Sequence, residues 1–418
     1  MISYDHSAKV NVTRKDTNQV SGYSIGFNSR KEIAISLDLT LMNSGIRNQV
    51  LYISADQDIT VVAYQSKSGS MDAYLALPVR AYGYQYVTAH YSRNSNGFHA
   101  AFAIVAKEDN TTVLLRPVSQ ISFQSKTADY NNPINITLQK FEVFYYRKDA
   151  DFTGTHVSSD KPVAVYGNHE CAFIPVTARP CDYMITQFTP TEYLGQTYIM
   201  SVSPLRTADQ FRVVAAYDNT DVSVPVKSLD IRLQTSQNNE IQLVSPQIAS
   251  LHCNQPCLLA HYTRSYNTDS VFADPSLNNE PAIDQFMSSY LFFFTSTSVL
   301  NTHSRFITII ILTNEKDGLR LDYQPLSNPI WYNITTSNGT FSVTTLTVSA
   351  GIHLMNHISS NVTFGLSQYA YGSDAETYHF PSGVQFYSSF QCRLLYFLMN
   401  NSFFYYLKLH IYVTIVSY

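Results

Sequence analysis

One segment of this chain occurs twice with little change, and that recurrence limits the fold more than any other feature. Phe102-Ala103-Ile104-Val105-Ala106-Lys107-Glu108-Asp109-Asn110-Thr111-Thr112-Val113 returns as Phe211-Arg212-Val213-Val214-Ala215-Ala216-Tyr217-Asp218-Asn219-Thr220-Asp221-Val222, identical at seven of twelve positions without a gap. A looser third copy runs Phe306-Ile307-Thr308-Ile309-Ile310-Ile311 and reaches Asp317-Gly318-Leu319-Arg320-Leu321. Each copy reads as a β-hairpin: Phe102, Ile104 and Ala106 alternate on one face, and a second arm resumes at Val113. Asp109-Asn110 and Asp218-Asn219 supply the turn, since these side chains bond their own backbone and tolerate the left-handed region. Asp317-Gly318 is expected to make the same turn. Calcium binding at Asp109 or Asp218 is disfavoured, because neither has the spaced acidic ligands of a calcium loop.

A second strand recurs before each hairpin and once more at the end: Val61-Val62-Ala63-Tyr64, Val163-Ala164-Val165-Tyr166, Leu258-Leu259-Ala260-His261-Tyr262 and Phe364-Gly365-Leu366-Ser367-Gln368-Tyr369. A third element, Asp72-Ala73-Tyr74-Leu75, returns as Asp182-Tyr183-Met184-Ile185. The spacing of about a hundred residues suits a β-sandwich and is too long for a solenoid or propeller blade. Tyr, Thr, Val and Ile abound and no segment carries a helical stripe, so the chain is expected to be all-β. The expected architecture is three consecutive β-sandwich-like units, 45–145, 146–250 and 251–385, packed as one composite domain. Residues 1–44 would add strands to the first unit. The apolar tail 386–418 is broken by Asn400-Asn401-Ser402, Lys408 and His410, which disfavours a spanning helix.

The 418 residues carry a net charge of -4, which leaves no basic footprint for nucleic acid. Four of the five cysteines form close pairs, Cys171 with Cys181 and Cys253 with Cys257, and neither pair completes a zinc site. Asn-x-Ser/Thr acceptors stand at Asn11, Asn110, Asn135, Asn333, Asn338, Asn361 and Asn400. Beside them, two local disulfides are the better reading of the cysteines, although four cysteines allow three connectivities. Against this, no apolar signal segment follows Met1, so the true start of a secreted chain is expected to be missing.

Catalytic patterns fail on context. His169-Glu170-Cys171 lacks the second histidine of a zinc protease, and an oxidised Cys171 is no nucleophile. Gly22-Tyr23-Ser24-Ile25-Gly26 spells a nucleophile elbow but lacks the strand before and the helix after. His252, His261, His353 and His357 share no strand face and read as satisfied or surface residues. No glycine-rich cofactor cradle is present, so no cofactor is expected.

The stretch from Asp151-Phe152-Thr153-Gly154 to Lys161-Pro162-Val163-Ala164-Val165, followed by Gly167-Asn168-His169-Glu170-Cys171 and Cys181-Asp182, resembles the N-terminal domain of the IgGFc-binding proteins. Asp274-Pro275, Glu280-Pro281-Ala282-Ile283-Asp284-Gln285-Phe286, Tyr369-Ala370-Tyr371-Gly372 and Tyr378-His379-Phe380-Pro381-Ser382-Gly383 follow in the family's order. The resemblance spans 45–385. It implies a secreted, non-catalytic module associated with mucus and adhesion; no residue here maps to an antibody Fc contact. The favoured function is therefore an extracellular binding module whose partners are glycoproteins or glycans. A membrane-anchored receptor ectodomain and a carbohydrate-active enzyme are the alternatives.

Overall fold

The computed structural model describes residues 1–3, 6–67, 70–91, 97–265, 269, 271–294, 304–372, 376–386 and 409–413, and among these no α-helix occurs. Strands joined by short 3-10 turns make the whole fold, as the β-rich composition requires. Most of the tail 386–418, with Cys392 and Asn400, lies outside the described residues, although Leu409–Val413 pairs with Leu51–Ala55. No helix among the described residues is long and apolar enough to cross a membrane.

The repeated segment is not a hairpin. Its arms Ala100–Ala106 and Thr111–Arg116 do not pair with each other; both pair instead with the 17-residue strand His156–Ala172. In the second copy the separation is complete. Ala208–Ala215 lies in one four-stranded sheet with Asn238–Val244, Cys257–Tyr262 and Leu277–Asn279. Thr220–Val224 lies in another with Thr197–Ser201, Ile248–Cys253 and Leu229–Leu233. The Asp-Asn turn is thus an arch that carries the chain from one sheet to the facing one, and Phe211, Val213, Val222, Val224 and Leu251 fill the core between them. Apolar alternation and turn chemistry are the same for a hairpin and an arch; only non-local pairing separates them.

The pairing also crosses both expected seams. The strand at Val163–Tyr166 bonds back to Ala100–Ala106, Leu258–Tyr262 to Ala208–Ala215, and Gly365–Tyr371 to Ser304–Leu312. The three later copies each close the sandwich behind them and do not open the next, whereas the first, in Val62–Lys67, pairs with Ser70–Leu75. The strands around Val157 and Val165 therefore belong with 45–145, and those around Leu259 with the sheets of the second repeat.

The sandwiches share faces. Phe102, Ile104 and Ala106 point into one core, while Ala101, Ala103 and Val105 point into a second one made with Val10, Val12 and Ile53 of the N-terminal strands. Val214, Leu258, Ala260 and Tyr262 of the second sandwich enter the core of the first. Ile199, Phe286, Phe341 and Val343 pack the second against the third.

Three tyrosines recur at the corners of this arrangement. Tyr86 donates to Val163 O (2.5 Å), Tyr198 to Cys257 O (2.5 Å) and Tyr290 to Phe364 O (2.5 Å), each at the start of a closing strand. The hydroxyls of Tyr86 and Tyr290 also accept from Gly83 N–H (3.0 Å) and Met287 N–H (2.9 Å). The contacts to Gly83, Gly195 and Met287, three residues before each tyrosine, match the corner of β-sandwiches in which a tyrosine hydroxyl meets backbone a few residues upstream; the bond to the distant carbonyl is added here.

Candidate functional site

The turn residues are placed by backbone bonds. Asn110 and Asn219 adopt the left-handed conformation at φ 54 and 57°. Asp109 Oδ1 accepts Lys140 N–H at 3.0 Å, and Asp218 Oδ1 accepts Thr235 N–H at 3.0 Å. One oxygen of each carboxylate is thereby spent on the fold. Asp317-Gly318 differs from expectation: it lies in a short 3-10 turn, Lys316–Gly318, with no left-handed residue. Glycine is needed there because a Cβ would stand 1.9 Å from His357 Nε2.

Cys171 is bonded to Cys181 and Cys253 to Cys257, with Cα separations of 5.0 and 6.5 Å. The second bridge straps the corner where the chain passes from Ile248–Cys253 into the facing sheet. The acceptor residues Asn11, Asn110, Asn135, Asn333, Asn338 and Asn361 are all exposed. None falls between Thr197 and Asn279, so the second sandwich is bare of acceptors.

The catalytic patterns have structural explanations. Glu170 binds His99 Nδ1 (2.9 Å) and Arg147 (2.9 Å), and Cys171 is held in its disulfide. Ser24 sits mid-strand opposite Lys9. His252, His353 and His357 each serve a local bond, to Thr197 Oγ1, Asp322 Oδ2 and Glu315 O.

An open cleft of about 360 Å³ lies on the outer sheet face of the second sandwich, lined by Asp221, Val222, Ser223, Asp230, Ile231, Arg232, His252 and Asn254. Strand alternation sends Val222 and Ile231 toward the core and leaves Asp221, Ser223, Asp230 and Arg232 at the surface. Arg232 clamps Asp221 through two bonds of 2.6 and 2.8 Å, which holds the Asp221 carboxyl below its usual range. A carboxylate so held is a poor general acid. Thr197 Oγ1 links His252 Nδ1 (3.0 Å) to Asn338 Oδ1 (3.5 Å), so the Asn338 turn stands at the rim.

The seams hold buried charge. Between first and second sandwiches, Arg212 bonds His90 O (2.9 Å), Thr153 Oγ1 (2.8 Å), Asp151 (3.1 Å) and Glu240 (2.8 Å). Between second and third, His261 Nε2 meets Asp209 Oδ2 (2.9 Å) and His261 Nδ1 meets Glu280 Oε1 (2.7 Å). Burial opposes a charge on His261, but its two carboxylate partners outweigh that and push it up to about 9. His379, whose ring centroid is 4.7 Å away, is lowered to about 4 by burial and by the His261 charge. Both ring nitrogens of His261 thus have partners. Asp209, Glu280 and His379 went unremarked as partners. No local motif joins them, because each lies on or beside a separate strand.

Stacked β-sheets with two disulfide-strapped corners and an open polar cleft define an all-β, disulfide-bonded module. Residues 72–370 match the IgGFc binding protein family, and the chain belongs to that family. The human IgGFc-binding protein is 26% identical over 168 residues, which is 40% of this chain and 3% of that protein. The chain thus matches a small fraction of that relative's length. Among solved structures, the viral chemokine binding protein R17 encoded by rodent gammaherpesvirus Peru covers 76% of this chain and 90% of its own at 8% identity, with a TM-score of 0.17.

Proposed function

We propose that the chain is a non-catalytic module of a secreted glycoprotein, and that it takes a glycan or a glycosylated partner in the cleft around Asp221, Arg232, His252 and Asn254. The observation that carries this reading is the contrast in surface: six exposed acceptor asparagines lie outside the second sandwich, and the open cleft lies on it. Glycans at Asn11, Asn110, Asn135, Asn333 and Asn361 would screen the outer units, while one on Asn338 would stand at the rim of the cleft and border its opening. The side chains fit the role: guanidinium, carboxylate and amide groups bond hydroxyls in pairs, while the partly apolar floor accepts the C–H face of a sugar. The name of the human relative refers to the Fc part of IgG, which makes Fc a second probe.

The test is binding of the purified chain to a glycan array and to immobilised IgG Fc. Arg232→Ala combined with His252→Ala is expected to weaken the best ligand by at least about tenfold. Lys126→Ala, on the first unit, should leave it unchanged. A double variant that binds as the parent does would remove the cleft from consideration. Intact mass before and after reduction and deglycosylation tests the secreted context.

A further inference from the structure

We propose that His261, Glu280 and His379 form a divalent-cation site of zinc type at the seam between the second and third sandwiches, with Asp209 positioning His261. The donor atoms of the three residues all lie within 4.8 Å of one another. They converge from separate elements: His261 from Cys257–Tyr262, Glu280 from just after Leu277–Asn279, and His379 from Thr377–Pro381. Two imidazoles and a carboxylate are the ligand set of a three-residue zinc site with one further coordination position. Imidazole nitrogen selects zinc-like metals over calcium and magnesium, which take oxygen.

The surroundings argue for a ligand set over a plain ion pair. Asp209 Oδ2 takes the far nitrogen of His261 at 2.9 Å and is itself fixed by Ser203 N–H at 2.6 Å. A carboxylate behind a metal-binding imidazole is the usual way such a ring is oriented. A structural imidazolium between Asp209 and Glu280 would need no second histidine. Yet His379 is buried beside it, and its Nδ1 has no hydrogen-bond partner; Asp209 Oδ1 and Asn278 Oδ1 are in the same condition. A buried polar atom without a partner is costly, and an ion held beside His261 and Glu280 would give the buried His379 a partner.

Untagged full chain, treated with chelator and dialysed, is titrated with zinc chloride by calorimetry, and its metal content is measured after re-equilibration. About one zinc per chain is expected, with a rise in melting temperature. His379→Gln and Glu280→Gln should abolish tight binding, Asp209→Asn should weaken it by about 10–100-fold, and His252→Gln should leave it unchanged. Cobalt added to the unmutated chain should give the intense visible bands of a tetrahedral nitrogen–oxygen site, which decides the matter if the variants fail to fold. No metal uptake and no cobalt bands, or zinc binding equal in folded His379→Gln, would overturn the assignment.

Discussion

Replacing each corner tyrosine by phenylalanine removes one oxygen and nothing else, so the cost can be worked from the bonds that oxygen makes. In Tyr86 the hydroxyl donates to Val163 O and accepts from Gly83 N–H; in Tyr290 it donates to Phe364 O and accepts from Met287 N–H. Tyr198 donates to Cys257 O, but its second neighbour is the carbonyl of Gly195 at 3.3 Å, which one hydroxyl hydrogen cannot also serve. All three side chains are buried, at 1 to 2% exposure, so water cannot take over. Leaving one buried polar group unmatched costs about 1–3 kcal/mol. Tyr86→Phe and Tyr290→Phe each strand two groups and should cost about 2–6 kcal/mol; Tyr198→Phe strands one and should cost about 1–3 kcal/mol. Urea unfolding followed by circular dichroism gives these differences, provided the slope with denaturant is unchanged. The reasoning fails if Tyr198→Phe costs more than the other two, or if all three fall within about 0.5 kcal/mol of the parent, as surface changes do.

Three further outcomes follow from the same bonds. Burial lowers His169 to about 3, with the neighbouring His90 adding to it, so the unfolded chain takes up that proton first. The contribution of His169 is complete above pH 6.5 and is lost as pH falls toward 3, at about 1.4 kcal/mol per pH unit. Because buried Asp72, Asp182 and Asp274 are raised and act in the opposite sense, the test is the difference between parent and His169→Gln: the variant should lack that slope between pH 6.5 and 4. Removing the Cys253–Cys257 bridge by paired alanines should cost about 2 kcal/mol and removing Cys171–Cys181 about 3 kcal/mol in the chain-entropy account, read as urea midpoints; the reverse order would refute loop length as the cause. Gly318→Ala drives a Cβ into the His357 ring and should cost about 1–3 kcal/mol, whereas Gly97→Ala, with nothing within 4 Å, should pay only for its backbone at φ +78.

The repeat, the β class and the cysteine pairs were legible because each is written in local sequence. Asp109-Asn110 and Asp218-Asn219 announce a turn, and they make one. What they join was not legible, since arms that alternate on one face look alike whether they pair with each other or with strands fifty residues away. The order of closing strands was lost for the same reason: Val163–Tyr166 sits between two repeats in the sequence, and only its bonds to Ala100–Ala106 assign it to the first.

The seam residues were hidden by a different cause. A sandwich in isolation turns one face of each sheet to water, and alternation then separates core from surface. Here the strand Ala208–Ala215 is buried along its whole length, because Phe211, Val213 and Ala215 fill its own core while Arg212 and Val214 face the first sandwich. Where the two repeat copies diverge, at Ala103 and Arg212, the faces meet different neighbours: the alanine admits the N-terminal sheet closely, and the arginine reaches His90, Asp151 and Glu240 across the seam. Divergence between otherwise equal copies therefore marks contact between units. The same rule explains why His261, Glu280 and His379 escaped a reading along the chain. Each is unremarkable on its own strand, and only the packing of one sandwich against the next brings their donor atoms together.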